Sequence, residues 1–169
     1  MTLEELNALS KDDARSEFLR CCGSRRWAGL MTGRRPFRDP DEMHSTAREL
    51  WNTLSPKDWK EAFAHHPKIG DIKSLRKKFA STAQWASGEQ AGVEQTPEKI
   101  LKALADGNKL YEARFGYIFI VCATGKSAGE MLSLLRERLN NVPPDELRIA
   151  AAEQEKITSL RLEKLLGTP

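Results

Sequence analysis

Phe115-Gly116-Tyr117-Ile118-Phe119-Ile120-Val121-Cys122 is the one stretch of this 169-residue chain aromatic and β-branched enough to pass as a buried strand. Whether the fold contains a sheet turns on how it is read. A lone strand has nothing to pair with, and strand signals elsewhere are nearly absent. The run is therefore expected to be a buried helical or extended segment through the core of an all-α domain.

Outward from it, helix signals recur in both directions. Thr2 followed by Glu5 reads as a capping box. Ser10 caps Lys11 to Cys22, with Gly23 as the stop. Asp39-Pro40 puts proline at the first helical position before a helix carrying Ala47, Leu50 and Trp51. Ser55-Pro56 repeats the device ahead of Trp59, Phe63 and Ala64, and Thr96-Pro97 repeats it ahead of Ile100, Leu101 and Leu104. Ser127 opens a helix with Met131, Leu134, Leu135 and Leu139, and Pro143-Pro144 opens the last and longest, which should end near Gly167. The sum is an all-α fold, a compact single-domain bundle of seven to eight helices spanning residues 1–169.

Composition bounds the function. Hydrophobic residues make up 40% and charged residues 30%, as in ordinary globular proteins, and the length suits one domain with one sizeable core. A net charge of +3, dispersed along the chain, is too weak to argue for nucleic acid. The one dense basic stretch, Arg25-Arg26 with Arg34-Arg35, reads as a solvated helix end and loop. Cys21, Cys22 and Cys122 form neither a disulfide framework nor a zinc motif, so no metal is expected and reduced structural thiols fit best. The polar N-terminus does not read as a signal peptide, the longest apolar run is too short to span a bilayer, and the C-terminus carries no peroxisomal address. A cytoplasmic protein without membrane contact is expected.

One motif has to be set aside. Ala123-Thr124-Gly125-Lys126-Ser127 looks like the end of a phosphate-binding P-loop, but the required earlier glycine is Ile120. Gly125 is expected to break the chain and Ser127 to cap a helix.

Three places hold polar residues that a plain bundle does not need. In His65-His66-Pro67-Lys68-Ile69-Gly70-Asp71 the proline disfavours helical dihedrals at His66, so the helix should end near His65. A histidine at such a corner can serve as general acid or base, or simply sit favourably at a helix C-terminus. Trp85-Ala86-Ser87-Gly88-Glu89-Gln90 offers a hydroxyl, a carboxylate and an amide close together, and is equally a polar turn. Arg161 has Ile157 four residues before it and Leu165 four after, so its cation rises from an apolar stripe and needs an anion. A substrate carboxylate and a structural glutamate both qualify.

These runs, in this order, resemble the family of 2-oxo-4-hydroxy-4-carboxy-5-ureidoimidazoline (OHCU) decarboxylases. The resemblance rests on His66-Pro67-Lys68-Ile69-Gly70-Asp71, Ser87-Gly88-Glu89-Gln90, and Asn108 and Tyr111 leading into Phe115 to Phe119. Ala123 to Ala128, then Glu153, Lys156-Ile157-Thr158 and Leu160-Arg161-Leu162 complete it. It covers the chain from about Leu9 to Leu166. It implies an all-α homodimer with no metal and no organic cofactor. It also implies His66 and Glu89 as the catalytic pair, with Pro67, Ser87, Gln90 and Arg161 binding substrate and main-chain groups around Ile118 and Phe119 touching its ring. The family reaction, loss of carbon dioxide from OHCU to give (S)-allantoin, normally calls for a cofactor as electron sink. Here the substrate carries its own, a ring C=N beside the carbon that bears carboxylate and hydroxyl. A rival reading is a non-catalytic module that binds an anion through Arg25, Arg26, Arg34 and Arg35. A second rival keeps the pocket and changes the substrate to a related ureido acid.

Overall fold

The computed structural model describes residues 1–67, 72–78 and 97–167. Among these residues there are nine α-helices and no strand: α1 (Leu3–Ala8), α2 (Lys11–Cys21), α3 (Arg25–Gly33), α4 (Pro40–Asn52), α5 (Pro56–Ala64), α6 (Ile72–Lys78), α7 (Pro97–Phe115), α8 (Ala128–Arg138) and α9 (Pro143–Leu165). The all-α expectation holds. The expected seven to eight helices become nine because α3 lies where the sequence suggested a helix end and loop. Ser24 caps it, accepting from Trp27 N at 3.2 Å, and Trp27, Ala28 and Met31 are its buried face. Arginines at both ends and glycines at 29 and 33 obscured that short apolar pattern.

Contacts divide the chain into two compact units, Met1–His66 with Ala151–Pro169, and Pro67–Ala150. In the first unit the caps read from sequence form. Thr2 and Glu5 close a capping box, Ser10 accepts from Asp13 N, and Asp39 accepts from Glu42 N with Pro40 opening α4. Helix α3 packs on α2, α4 and α5. Phe18 meets Trp27 and Phe37 edge-on, with ring centroids 6.0 and 6.4 Å away. Indoles bring apolar area and a polar N–H that must be satisfied when buried. Trp27 donates to Ala47 O at 3.1 Å, Trp51 to Ala151 O at 2.9 Å and Trp59 to Trp51 O at 3.0 Å.

Three of the four arginines of the basic stretch are engaged locally. Arg35 Nη1 donates to the Leu6, Asn7 and Leu9 carbonyls at 2.7, 3.3 and 3.0 Å, satisfying the open end of α1. Arg25 forms a fork with Glu61, and Arg34 pairs with Glu49 at 3.5 Å.

In the second unit α7 packs on α6 and α8. Gly107 admits α8 closely, since a Cβ there would lie 2.6 Å from Leu135 Cδ2. Gly116 (φ +82°) ends the run of α7, and the strand-like segment continues without regular structure until Gly125 (φ +75°) turns it. Ser127 then caps α8 in a capping box with Glu130, as expected of a residue that is no part of a phosphate loop.

That segment is held by a buried cation. Arg138 is 6% exposed and Glu146 is fully buried. Arg138 Nε meets Glu146 Oε1 at 2.6 Å and Oε2 at 3.1 Å, and Nη1 donates to Ile120 O at 2.6 Å. The guanidinium lies 4.6 Å from the Phe119 ring centroid and 5.8 Å from that of Tyr111. Arg138 Nη2 donates to Tyr111 Oη at 3.5 Å, and burial pushes the Tyr111 and Tyr117 phenols up.

Removing one partner of a buried ion pair leaves a charge without compensation, which costs about 3–5 kcal/mol. Arg138→Ala and Glu146→Ala should each lose about that much in urea denaturation, and the double replacement Arg138→Met with Glu146→Leu should lose less than either. Losses under about 1 kcal/mol in both single variants would show that the pair holds nothing. A second contrast concerns glycines. A Cβ at Gly23 would lie 2.3 Å from His65 Cγ, whereas one at Gly29 meets nothing within 4 Å. Gly23→Ala is expected to destabilise by about 1–3 kcal/mol, and Gly29→Ala, inside α3, to stabilise by up to about 1 kcal/mol. Equal melting curves for the two would refute this.

Candidate active site

The first unit builds the site from the end of α5 upward. The helix closes with His65 N bonded to Ala62 O and His66 N bonded to Phe63 O, both at 3.2 Å. Pro67 comes next and prevents another helical turn, as the sequence indicated. The Gly23 backbone, in the turn after α2, fits against the His65 ring with no room for a side chain. The corner that carries His66 is thus fixed by a proline on one side and a glycine on the other.

His66 is half-buried, and its Nε2 lies 2.5 Å from Gln154 Oε1. Gln154 is fully buried, and its Nε2 donates to Thr158 Oγ1 at 3.1 Å. One turn on, Arg161 Nη1 donates to Cys21 O at 3.3 Å. Gln154, Thr158 and Arg161 are spaced i, i+4, i+7, so they share one face of α9. That face meets the C-terminal end of α2 and the corner after α5.

Arg161 is half-buried and, among the described residues, makes no ion pair. The structural glutamate weighed from sequence is not found among them. The guanidinium places one donor on a helix-end carbonyl. Burial pushes the Cys21 thiol up to about 12 and the Cys22 thiol up to about 11, and the opposing pull of Arg161 is the smaller effect on both. Neither is a thiolate near neutral pH. Among the described residues no group of three or more His, Cys, Asp or Glu side chains is placed to hold a metal ion.

In the second unit Pro67 is exposed and Ile118 and Phe119 are half-buried. The main chain beside them is pinned through Ile120 O by Arg138, whose guanidinium also covers the Phe119 ring. A segment without regular structure is thereby held still, which suits a role in presenting main-chain groups to a ligand. Ser87, Glu89 and Gln90 lie outside the described residues.

The structure ties His66 to the face of α9 that carries Arg161, through Gln154, a residue that sequence reasoning missed. The signal for it was present, because Gln154 and Thr158 are polar residues four apart between Ala151 and Leu162 on an otherwise buried stripe. The anchoring of Ile118 and Phe119 through Arg138 and Glu146 was also missed.

A model of the OHCU decarboxylase family matches residues 7–163. The uric acid degradation bifunctional protein TTL of Arabidopsis thaliana is 41% identical over 150 residues, which cover 87% of this chain and 45% of that protein. The chain therefore spans less than half the length of this bifunctional relative. The 2-oxo-4-hydroxy-4-carboxy-5-ureidoimidazoline decarboxylase of Amia calva is 26% identical over 100% of this chain and 97% of its own. Among solved structures, a crystal structure of OHCU decarboxylase in the presence of (S)-allantoin matches with a TM-score of 0.71 at 40% identity, covering 89% of this chain and 97% of that one. With the helical fold, the histidine corner and these matches in agreement, the chain belongs to the OHCU decarboxylase family.

Proposed function

We propose that this protein decarboxylates OHCU to (S)-allantoin in urate degradation without an organic cofactor. The observation that carries the reading is His66, fixed at the end of α5 by a fully buried amide, with Arg161 on the same face of α9, in a chain of this family. The rival anion-binding module loses its main support, since Arg25, Arg34 and Arg35 are engaged within the chain. A homodimer and a cytoplasmic location belong to the same proposal and rest on the family resemblance.

The chemistry follows from the substrate. The bond from ring carbon to carboxylate breaks and carbon dioxide leaves; its electron pair forms a C=C to the neighbouring carbon while the C=N electrons move onto the ring nitrogen, which takes a proton from solvent, leaving an enol. Transfer of the enol proton to a base and protonation of the neighbouring carbon then give the ketone of allantoin. His66 is the base for the hydroxyl proton, and Glu89 orients it or shares the proton. Delivery of a proton to one face sets the (S) centre. Arg161 holds an anionic or polar edge of the substrate through paired N–H donors, for which lysine is a poor substitute. Ser87 and Gln90 supply neutral donors and acceptors for the ureido group, and main-chain groups of Ile118 and Phe119, with Pro67, border the ring.

Circular dichroism of the product tests this, with substrate generated from urate by urate oxidase and hydroxyisourate hydrolase. Wild-type protein should give a rapid (S)-allantoin signal over the slow racemic background. General acid–base catalysis is worth roughly 100- to 10,000-fold, so His66→Ala and Glu89→Gln should nearly abolish that signal. More than about half the wild-type rate in either variant would remove that residue from the pair, and a racemic product with wild-type protein would overturn the function. Arg161→Lys should raise KM by roughly 10-fold or more, as loss of a bidentate charged bond predicts. An unchanged KM would show that Arg161 does not hold the substrate.

A further inference from the structure

The His66 ring has two nitrogens, and a neutral imidazole can take up a proton at only one of them. Which one is decided by what the other is bound to. His66 Nε2 faces Gln154 Oε1, and an amide oxygen has lone pairs and no proton to offer. Nε2 must therefore supply the proton of that bond whether the ring is neutral or charged. The other end of the amide is used in the same orientation. Its nitrogen already donates to Thr158 Oγ1, so a flip would reverse both bonds at once. Gln154 and Thr158 are both buried.

We propose that Gln154 is a positioning residue for the decarboxylation: it keeps one proton on His66 Nε2 throughout, so that the reacting proton passes through Nδ1. The inference deepens the function proposed above and rests on it for the identity of the reaction. In chemical terms, the hydroxyl proton of the substrate goes onto Nδ1 and forms the imidazolium, while the proton on Nε2 stays in its bond to Gln154. Returning the Nδ1 proton to the neighbouring carbon, directly or through Glu89, restores the neutral ring. No proton is gained or lost at Nε2.

The first test needs no substrate and no variant of Gln154. Protein labelled with ¹⁵N at histidine is examined by long-range ¹H–¹⁵N correlation, with His44→Asn and His65→Asn used to assign the three rings. The neutral form of His66 should carry its proton on Nε2. A neutral ring protonated on Nδ1 alone would overturn the proposal, whatever the activity of the enzyme.

The second test is kinetic. Gln154→Met fills a similar volume but cannot accept the Nε2 proton. It should lower kcat by at least about 10-fold with KM within about 2-fold, and it should make the Nδ1-protonated form of the ring measurable. A folded Gln154→Met protein with wild-type kcat would show that the amide only fills space. If that variant does not fold, the ring-proton measurement on wild-type protein still decides the matter. If wild-type protein yields only racemic allantoin, the proposed function falls, and the position of the ring proton is still read independently.

Discussion

Arg138 has almost no water to face, and its surroundings follow from that constraint. A guanidinium out of solvent needs a carboxylate and further acceptors, or it destabilises the fold by several kcal/mol. Glu146, in the first turn of α9, supplies both its oxygens, and the positive end of that helix favours a negative charge there. Ile120 supplies a carbonyl, and Phe119 and Tyr111 supply ring faces. A strand-like run that has no strand to pair with is thus given a partner in another form. One cation satisfies its main chain and stacks on its side chains, so the segment can pass through an all-helical unit without a sheet.

The same economy governs the first unit, where the buried polar group is neutral. Gln154 has no exposed surface, and both ends of its amide are used. His66, at the end of α5, bonds Gln154, which bonds Thr158, and Arg161 on the same face of α9 reaches the end of α2 by its bond to Cys21 O. Two expected ligand-facing side chains therefore hang on one rigid face of α9, and their geometry is set by packing and satisfied hydrogen bonds.

Much of this was legible in the sequence where the physics is local. Capping boxes at Thr2 and Ser127, prolines at the first positions of α4, α5 and α7, and the end of α5 before Pro67 are all decided within four residues of chain. The disposal of the P-loop-like run was local too, since one missing glycine decides it. What escaped was non-local. His66 and Gln154 are 88 residues apart, and nothing near either announces the other. Arg138 stands in the last turn of α8, where a basic residue is ordinarily a solvated complement to the helix dipole, so its burial could not be read from its neighbours. The short helix α3 was hidden by its own composition, because arginines mark its ends more loudly than Trp27, Ala28 and Met31 mark its face. Of the carried-over site residues, His66 and Arg161 belong to one unit, Pro67, Ile118 and Phe119 belong to the other, and Ser87, Glu89 and Gln90 lie outside the described residues.

The three cysteines, all buried, give the molecule a built-in clock. A thiol kept away from solvent reacts with an alkylating reagent only while the fold around it is open, so its labelling rate measures how often that opening occurs. Cys21 and Cys22 belong to one compact unit and Cys122 to the other. Mass spectrometry of the labelled peptides would therefore time the two units separately in a single experiment. It would also show whether the corner that holds Arg161 and His66 opens on its own or only when the whole protein unfolds.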